Sequence, residues 1–196
     1  RKMRRYGILS EPMPSSATAE LIEHLRSHAV RTEGGPFTLR SGELSSWYID
    51  ARQTTFDGHG ATLVGAAVSE HIDVGVDAVG GMTIGADPIA VATAMSACAA
   101  GRVLKAFSIR KQAKDHGMGG RLVGPVSRGD TVVILEDTTT SGGALVEALE
   151  VARDEGLHVI AAIALVDRSA GRVDSLLEGM GIPYTAIVTP ELLGVE

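Results

Sequence analysis

The apolar positions of the chain fall first into a helical and then into an alternating pattern. Leu21, Ile22, Leu25, Ala29 and Val30 recur at helical spacing behind Ser16 or Thr18, either of which can cap the first turn, and the run ends before Gly34-Gly35-Pro36. Phe37-Thr38-Leu39 and Trp47-Tyr48-Ile49 then flank a polar turn through Ser41, Gly42 and Glu43, which predicts two short strands of a flap at about 35–52. From about residue 57 the chain alternates: helix 60–73, strand 77–80, helix 86–100, strands 103–109 and 131–136, helix 142–156, strand 158–166, helix 172–180 and strand 184–188. Such alternation predicts βαβ units, hence an α/β fold with a mostly parallel central sheet flanked by helices. The runs 132–135 and 159–166 are continuously apolar, as strands covered on both faces must be.

Composition narrows this picture. A chain of 196 residues suits one core, and the domain is taken as 15–196. Residues 1–14, with Pro12, Pro14 and no helical period, are expected to be a disordered or added tail ahead of a start near Met13. Aromatics make up only 4% while glycines number 24, which favours close helix-on-sheet packing over a β-sandwich. A net charge of −6 disfavours nucleic acid and anionic membranes as partners. No apolar run reaches membrane-spanning length, and the basic start is not followed by a signal core, so a cytoplasmic protein is expected. The single cysteine, Cys98, is expected to pack as a small buried hydrophobe. His24, His28, His59, His71 and His158 lack metal-ligand spacing and are expected at the surface or at helix ends.

Ligands of open α/β sheets bind beyond the carboxyl ends of the strands, and three connections there are unusual. In the first, an apolar strand ends in Glu136-Asp137 and runs through Thr138-Thr139-Thr140-Ser141-Gly142-Gly143-Ala144 into a helix. The glycines permit a tight turn, the first helical amides point outward and the hydroxyls add donors, which together make a cradle for a phosphate monoester. Glu136 and Asp137 would repel phosphate and suit ribose hydroxyls or a hydrated Mg²⁺. The plainer alternative is an ordinary helix cap with acids at its dipole. The second, at about 108–122, gathers Arg110, Lys111, Lys114 and Arg121 against one aspartate in an acidic chain, with His116 among three glycines. It reads as a mobile lid over a polyanion, or else as a solvated turn. The third ends in Asp167-Arg168, where a guanidinium can grip a planar anion, unless it pairs with Asp167.

The first connection matches neither a Walker A loop nor a dinucleotide glycine pattern. It resembles the signature by which type I phosphoribosyltransferases bind phosphoribosyl pyrophosphate (PRPP). The stretch Arg110-Lys111-x-x-Lys114-x-His116-Gly117 is similar to the loop that sets the orotate phosphoribosyltransferase family apart within that superfamily, and Phe37 to Asp50 looks like the family's flap. The resemblance covers about 18–193. It implies Mg²⁺-dependent transfer of ribose-5-phosphate from PRPP to orotate, in a homodimer whose lid reaches the neighbouring site. Carried over by position, Lys114, His116 and Asp137 are catalytic, and Arg110, Lys111, Lys114 and His116 meet the pyrophosphate. Glu136 through Ala144 bind ribose-5-phosphate, and Arg40, Tyr48, Thr140 and Arg168 bind orotate. Mg²⁺ is held mainly by PRPP and water, with Glu136 and Asp137 as the protein's contacts. Two departures stand out: Arg40 replaces a customary lysine, and the loop Gly80 to Pro88, which occupies the place of the family's pyrophosphate loop, carries none of the lysine that many members have there. A purine phosphoribosyltransferase would lack the lid, and a PRPP-sensing regulator would need a basic face that net charge −6 does not suggest.

Overall fold

The computed structural model describes residues 15–38, 44–112 and 120–195; Arg40, Lys114, His116 and the expected tail at 1–14 lie outside them. The first helix, α1 (Ser16–His28), starts one residue earlier than the sequence suggests. Ser15, with extended backbone, caps it by accepting from the Thr18 amide at 3.2 Å. Its inward stripe puts Leu21 and Leu25 fully out of water, a burial worth roughly 1.5–3 kcal/mol for each side chain.

Short strands β1 (Val30–Arg31), β2 (Phe37–Thr38), β3 (Leu44–Ser45) and β4 (Tyr48–Ile49) follow. The flap is not the single hairpin the sequence suggests: β2 pairs with β3, whereas β4 turns back to pair antiparallel with β1. Burial decides this, because Trp47 and Ile49 join the core beside α1 and draw the second strand off the hairpin. A one-turn helix that the periodicity misses, α2 (Arg52–Thr55), leads into α3 (Gly58–Ser69), capped by the Asp57 carboxylate on the Gly60 amide at 2.8 Å.

The rest is the expected alternation: β5 (Ala78–Met82), α4 (Ala86–Ala99), β6 (Lys105–Ile109), β7 (Leu122–Val123), β8 (Thr131–Thr139), α5 (Gly143–Asp154), β9 (His158–Asp167), α6 (Arg172–Gly179), β10 (Tyr184–Val188) and α7 (Pro190–Leu193). Six strands form one sheet in the order β10-β9-β8-β5-β6-β7, parallel except for β7, a two-residue edge strand the sequence pattern does not reveal. Alternate residues of β8 serve opposite cores. Val133 and Leu135 pack with α1, α3 and α4, while Val132 and Ile134 pack with Leu145, Leu149, Val173 and Leu177 of α5 and α6.

Four expectations change. β8 runs to Thr139 rather than ending at 136, because Thr138 and Thr139 stay in register with Val166 and Asp167 of β9. The span 108–122 is a strand at each end, since Ser108 pairs with Val123 and Ile109 with Leu122. Cys98 is exposed, on the outer side of α4 rather than in its core-facing row. His24 is buried, its Nδ1 3.2 Å from Thr54 Oγ1 and its Nε2 3.2 Å from Asp57 Oδ1, so it ties α1 to the start of α3. Among the described residues, no helix is long and apolar enough to cross a membrane.

Candidate active site

The order of strands places a switch between β5 and β8: from β5 the chain moves outward to β6, then returns to build β8, β9 and β10 on the other side. Connections leaving neighbouring strands in opposite directions open a crevice at their carboxyl ends. The loop Thr83 to Gly85 leaves β5 there and meets the last residues of β8 at Asp137. A β-carbon on Gly85 would come within 2.6 Å of Asp137 Cγ, so the missing side chain is what lets the carboxyl stand over this loop. Thr83 Oγ1 donates to Asp87 Oδ2 at 2.7 Å, and the other Asp87 oxygen is buried without a partner among the described residues.

Because β8 extends to Thr139, Glu136, Asp137, Thr138 and Thr139 are set by the sheet, and only Thr140, Ser141 and Gly142 make the turn. Gly142, at φ 79°, takes the left-handed conformation that brings the chain into α5. No side chain caps that helix; the nearest hydroxyl, Ser141 Oγ, is 3.5 Å from the Gly143 amide. That bond is long and leaves the Gly143 amide weakly held, no partner for the Ala144 amide occurs among the described residues, and with the helix dipole the start of α5 favours an anion.

The two acids differ in state. Burial, and next the neighbouring Asp137 carboxylate, push the Glu136 carboxyl up to about 8. Its Oε2 is buried with no partner among the described residues. At neutral pH Glu136 is mostly an uncharged donor. Asp137 is half-buried and accepts from the Thr138 amide at 2.6 Å through Oδ1. Behind them, burial and next the Asp167 carboxylate raise the Tyr184 hydroxyl, which stays protonated and has no hydrogen-bond partner among the described residues.

At the end of β9, Arg168 does not pair with Asp167, which instead accepts from the Ser169 amide at 2.6 Å. The guanidinium lies over the Trp47 ring, 4.0 Å from its centroid, and donates to Ser45 Oγ at 3.5 Å. The flap is thereby joined to the end of β9. Burial pulls the Arg168 pKa down, with partial opposition from nearby Tyr48. Tyr48 itself is on the exposed face of β4, its ring 6.0 Å from Phe37.

At the lid, only the stems are described. The Arg110 amide donates to the Arg121 carbonyl at 2.8 Å, and Arg121 Nε returns a bond to the Arg110 carbonyl at 2.6 Å. Arg121 also pairs with Glu147 on α5. Arg110 is half-buried and Lys111 exposed.

The structure thus brings together Asp137, the cradle from Thr138 to Ala144 and Arg168, with Glu136 beneath. Sequence reasoning passed over Arg52, and it took Trp47, Gly85 and Arg121 only as members of the flap, the 80–88 loop and the basic 108–122 stretch, with no individual role. Arg52 pairs with Asp50 at 2.7 Å and lies within electrostatic range of both Asp137 and Tyr48. Its only sequence signal is the alternation Asp50-x-Arg52 just after the flap. Trp47 could have been singled out as the sole tryptophan in the chain.

A mostly parallel sheet with two acids and a glycine-bearing turn into a helix at its switch point defines the type I phosphoribosyltransferase class. No family model matches the chain. Individual proteins do. It is 40% identical over 178 residues to orotate phosphoribosyltransferase of Streptomyces coelicolor, covering 90% of this chain and 97% of that protein. The Aquifex aeolicus orotate phosphoribosyltransferase is 41% identical over 177 residues, covering 89% and 96%. The crystal structure of Mycobacterium tuberculosis orotate phosphoribosyltransferase in complex with Fe(III) dicitrate superposes with a TM-score of 0.80 at 34% identity, covering 91% of this chain and 99% of that one. The chain belongs to the orotate phosphoribosyltransferase family.

Proposed function

We propose that this chain transfers ribose-5-phosphate from PRPP to orotate, giving orotidine 5′-monophosphate and pyrophosphate, a step of de novo pyrimidine (UMP) synthesis. The observation that carries the reading is the meeting of Asp137 and the Gly85 loop at the sheet's switch point, between an uncapped α5 and Arg168. A crystal structure of the M. tuberculosis enzyme in complex with PRPP, 30% identical with a TM-score of 0.74 and covering 91% of this chain and 99% of that one, supports it.

In this reading the hydroxyls and amides from Thr138 to Ala144 hold the 5′-phosphate. Glu136, neutral, donates to a ribose hydroxyl and Asp137 accepts from one. Arg168, with Tyr48, Thr140 and Arg40, orients orotate. Its N1 anion attacks C1′ of PRPP; the N1–C1′ bond forms as the C1′–O bond breaks, and the electron pair leaves on pyrophosphate. Arg110, Lys111, Lys114 and His116 take up that charge, so the protein's contribution is positioning and electrostatics rather than a strong base.

The donors present fit Mg²⁺ held mainly through PRPP and water. Asp137 is one available carboxylate, Glu136 is largely protonated, and no cluster of three metal-binding side chains occurs among the described residues. Bound with PRPP, Mg²⁺ supplies charge neutralisation to the diphosphate. The working unit is a homodimer in which Lys111 serves its own site and Lys114 and His116 the neighbour's. An outward apolar row on α4, with Val91 and Met95 exposed, suits a second copy. The domain runs over 15–196 with its flap and lid. A multiply charged sugar phosphate cannot cross a bilayer unaided, which places the reaction in the cytoplasm where such a substrate is made.

The test is loss of orotate's ultraviolet absorbance with purified protein, PRPP and Mg²⁺, beside adenine, hypoxanthine, xanthine and uracil as competing acceptors. Loss requiring both PRPP and Mg²⁺ is expected. Turnover of another base instead would overturn the specificity.

A further inference from the structure

We propose that Trp47 is a positioning residue for orotate recognition, its buried indole face holding the Arg168 guanidinium flat and free of any carboxylate so that the N–H edge stays available to a planar anion. This rests on the reading of Arg168 as the orotate anchor.

Arg168 lacks the usual partner of a half-buried cation. Among the described residues no carboxylate pairs with it, although Asp167 is adjacent in sequence, because Asp167 is turned to the Ser169 amide. Its Nε is buried with no acceptor among the same residues. A half-buried guanidinium ordinarily takes a carboxylate; here its neighbours are an aromatic face at 4.0 Å and one long bond to Ser45 Oγ. An aromatic face attracts the cation through its quadrupole yet consumes none of the in-plane N–H groups. A carboxylate would occupy the same fork that orotate's carboxylate needs.

The support is rigid. Trp47 is 6% exposed and belongs to the core that includes Leu21, Leu25 and Ile49. Ser45 fixes its backbone on both sides, donating from Oγ to the Trp47 carbonyl at 2.7 Å and accepting from the Trp47 amide at 3.3 Å. The same Ser45 oxygen meets Arg168, so ring and hydroxyl form one seat built from the flap strand β3 and the residues just after it. A guanidinium seated on a core side chain keeps one orientation before substrate arrives, which lowers the entropy lost on binding.

The experiment is a double-mutant cycle on orotate and PRPP kinetics with Trp47→Leu, Trp47→Phe, Arg168→Ala and the pair Trp47→Leu/Arg168→Ala, each checked for folding by circular dichroism. Trp47→Leu should raise the KM for orotate about tenfold and leave that for PRPP within about twofold, while Trp47→Phe, which keeps an aromatic face, recovers most of the loss. The pair should be no worse than Arg168→Ala alone, because the ring acts only through the guanidinium. Additive losses, or equal losses for both substrates, would overturn the proposal. If Trp47→Leu fails to fold, Trp47→Phe and its pair with Arg168→Ala carry the same cycle at smaller amplitude. Should Arg168→Ala leave the orotate KM unchanged, the anchor reading itself falls, a result distinct from an Arg168 effect that Trp47 does not share.

Discussion

The carboxyl of Asp137 stands directly over the α-carbon of Gly85: a β-carbon there would fall 2.6 Å from Asp137 Cγ and 2.7 Å from each carboxyl oxygen. What it would strike is the end of a half-buried side chain, which can swing aside. Gly85 has an ordinary helical φ of −63°, so alanine brings no backbone strain. Gly85→Ala should therefore fold, with a melting temperature within a few degrees of the parent, yet raise the KM for PRPP roughly tenfold or more by displacing Asp137. An unchanged KM in the folded variant would remove Asp137 from the ribose site.

Gly81, four residues earlier in β5, predicts the opposite outcome. Its β-carbon would run into the backbone carbonyl of Leu135 on the neighbouring strand, with the Ala86 side chain 2.8 Å away, and neither can move without parting β5 from β8. Gly81→Ala should cost about 3 kcal/mol or more in denaturant unfolding. A loss under about 1 kcal/mol would show that the two strands separate more easily than their packing implies.

Glu136 gives a pH signature. Its folded carboxyl titrates near 8, against 4.5 for the ordinary group, because burial disfavours the charge and Asp137 adds repulsion. Between those values the folded chain holds a proton that the unfolded chain has released. This group's contribution is fully present below the unfolded value and is lost as pH rises to about 8, so stability should fall over that window. Glu136→Gln, neutral throughout, should flatten that part of the slope and keep PRPP binding near pH 7 better than Glu136→Ala. Chemical denaturation at a series of pH values measures the slope. An equal slope in Glu136→Gln would assign it to other groups.

Much of this architecture could be read from residue order, because strands covered on both faces leave continuous apolar runs and the helices between them leave their own period. What escaped were features settled by partners distant in sequence. That β4 pairs with β1 rather than β2 follows from burial of Trp47 and Ile49 beside α1, and no local pattern encodes it. The extension of β8 through Thr139 depends on register with β9, while polar Glu136-Asp137-Thr138-Thr139 reads locally as a loop. Short elements such as α2, β7 and α7 carry too few residues to show a period. At the site, the turn into α5 was legible because glycine and hydroxyl residues before a helix have a direct physical use. Trp47 lies against Arg168 and Gly85 against Asp137, and those relations exist only in three dimensions.

The proposal that sites are shared between subunits makes a quantitative prediction for Lys114 and His116. Alanine at either position should lower kcat by about a hundredfold or more with folding intact, since the charge opposing pyrophosphate is lost. If each Lys114 serves the neighbour's site, then in a dimer pairing Lys114→Ala with Asp137→Asn one site inherits both defects and the other inherits neither. Random pairing of the two inactive chains then restores about one quarter of wild-type activity, because half the dimers are mixed and each has one intact site of two. Co-expression with two affinity tags isolates the mixed dimer, whose activity should be about half that of the wild type. Activity no higher than either parent, in a mixed dimer shown to be intact by both tags, would mean that Lys114 works within its own subunit.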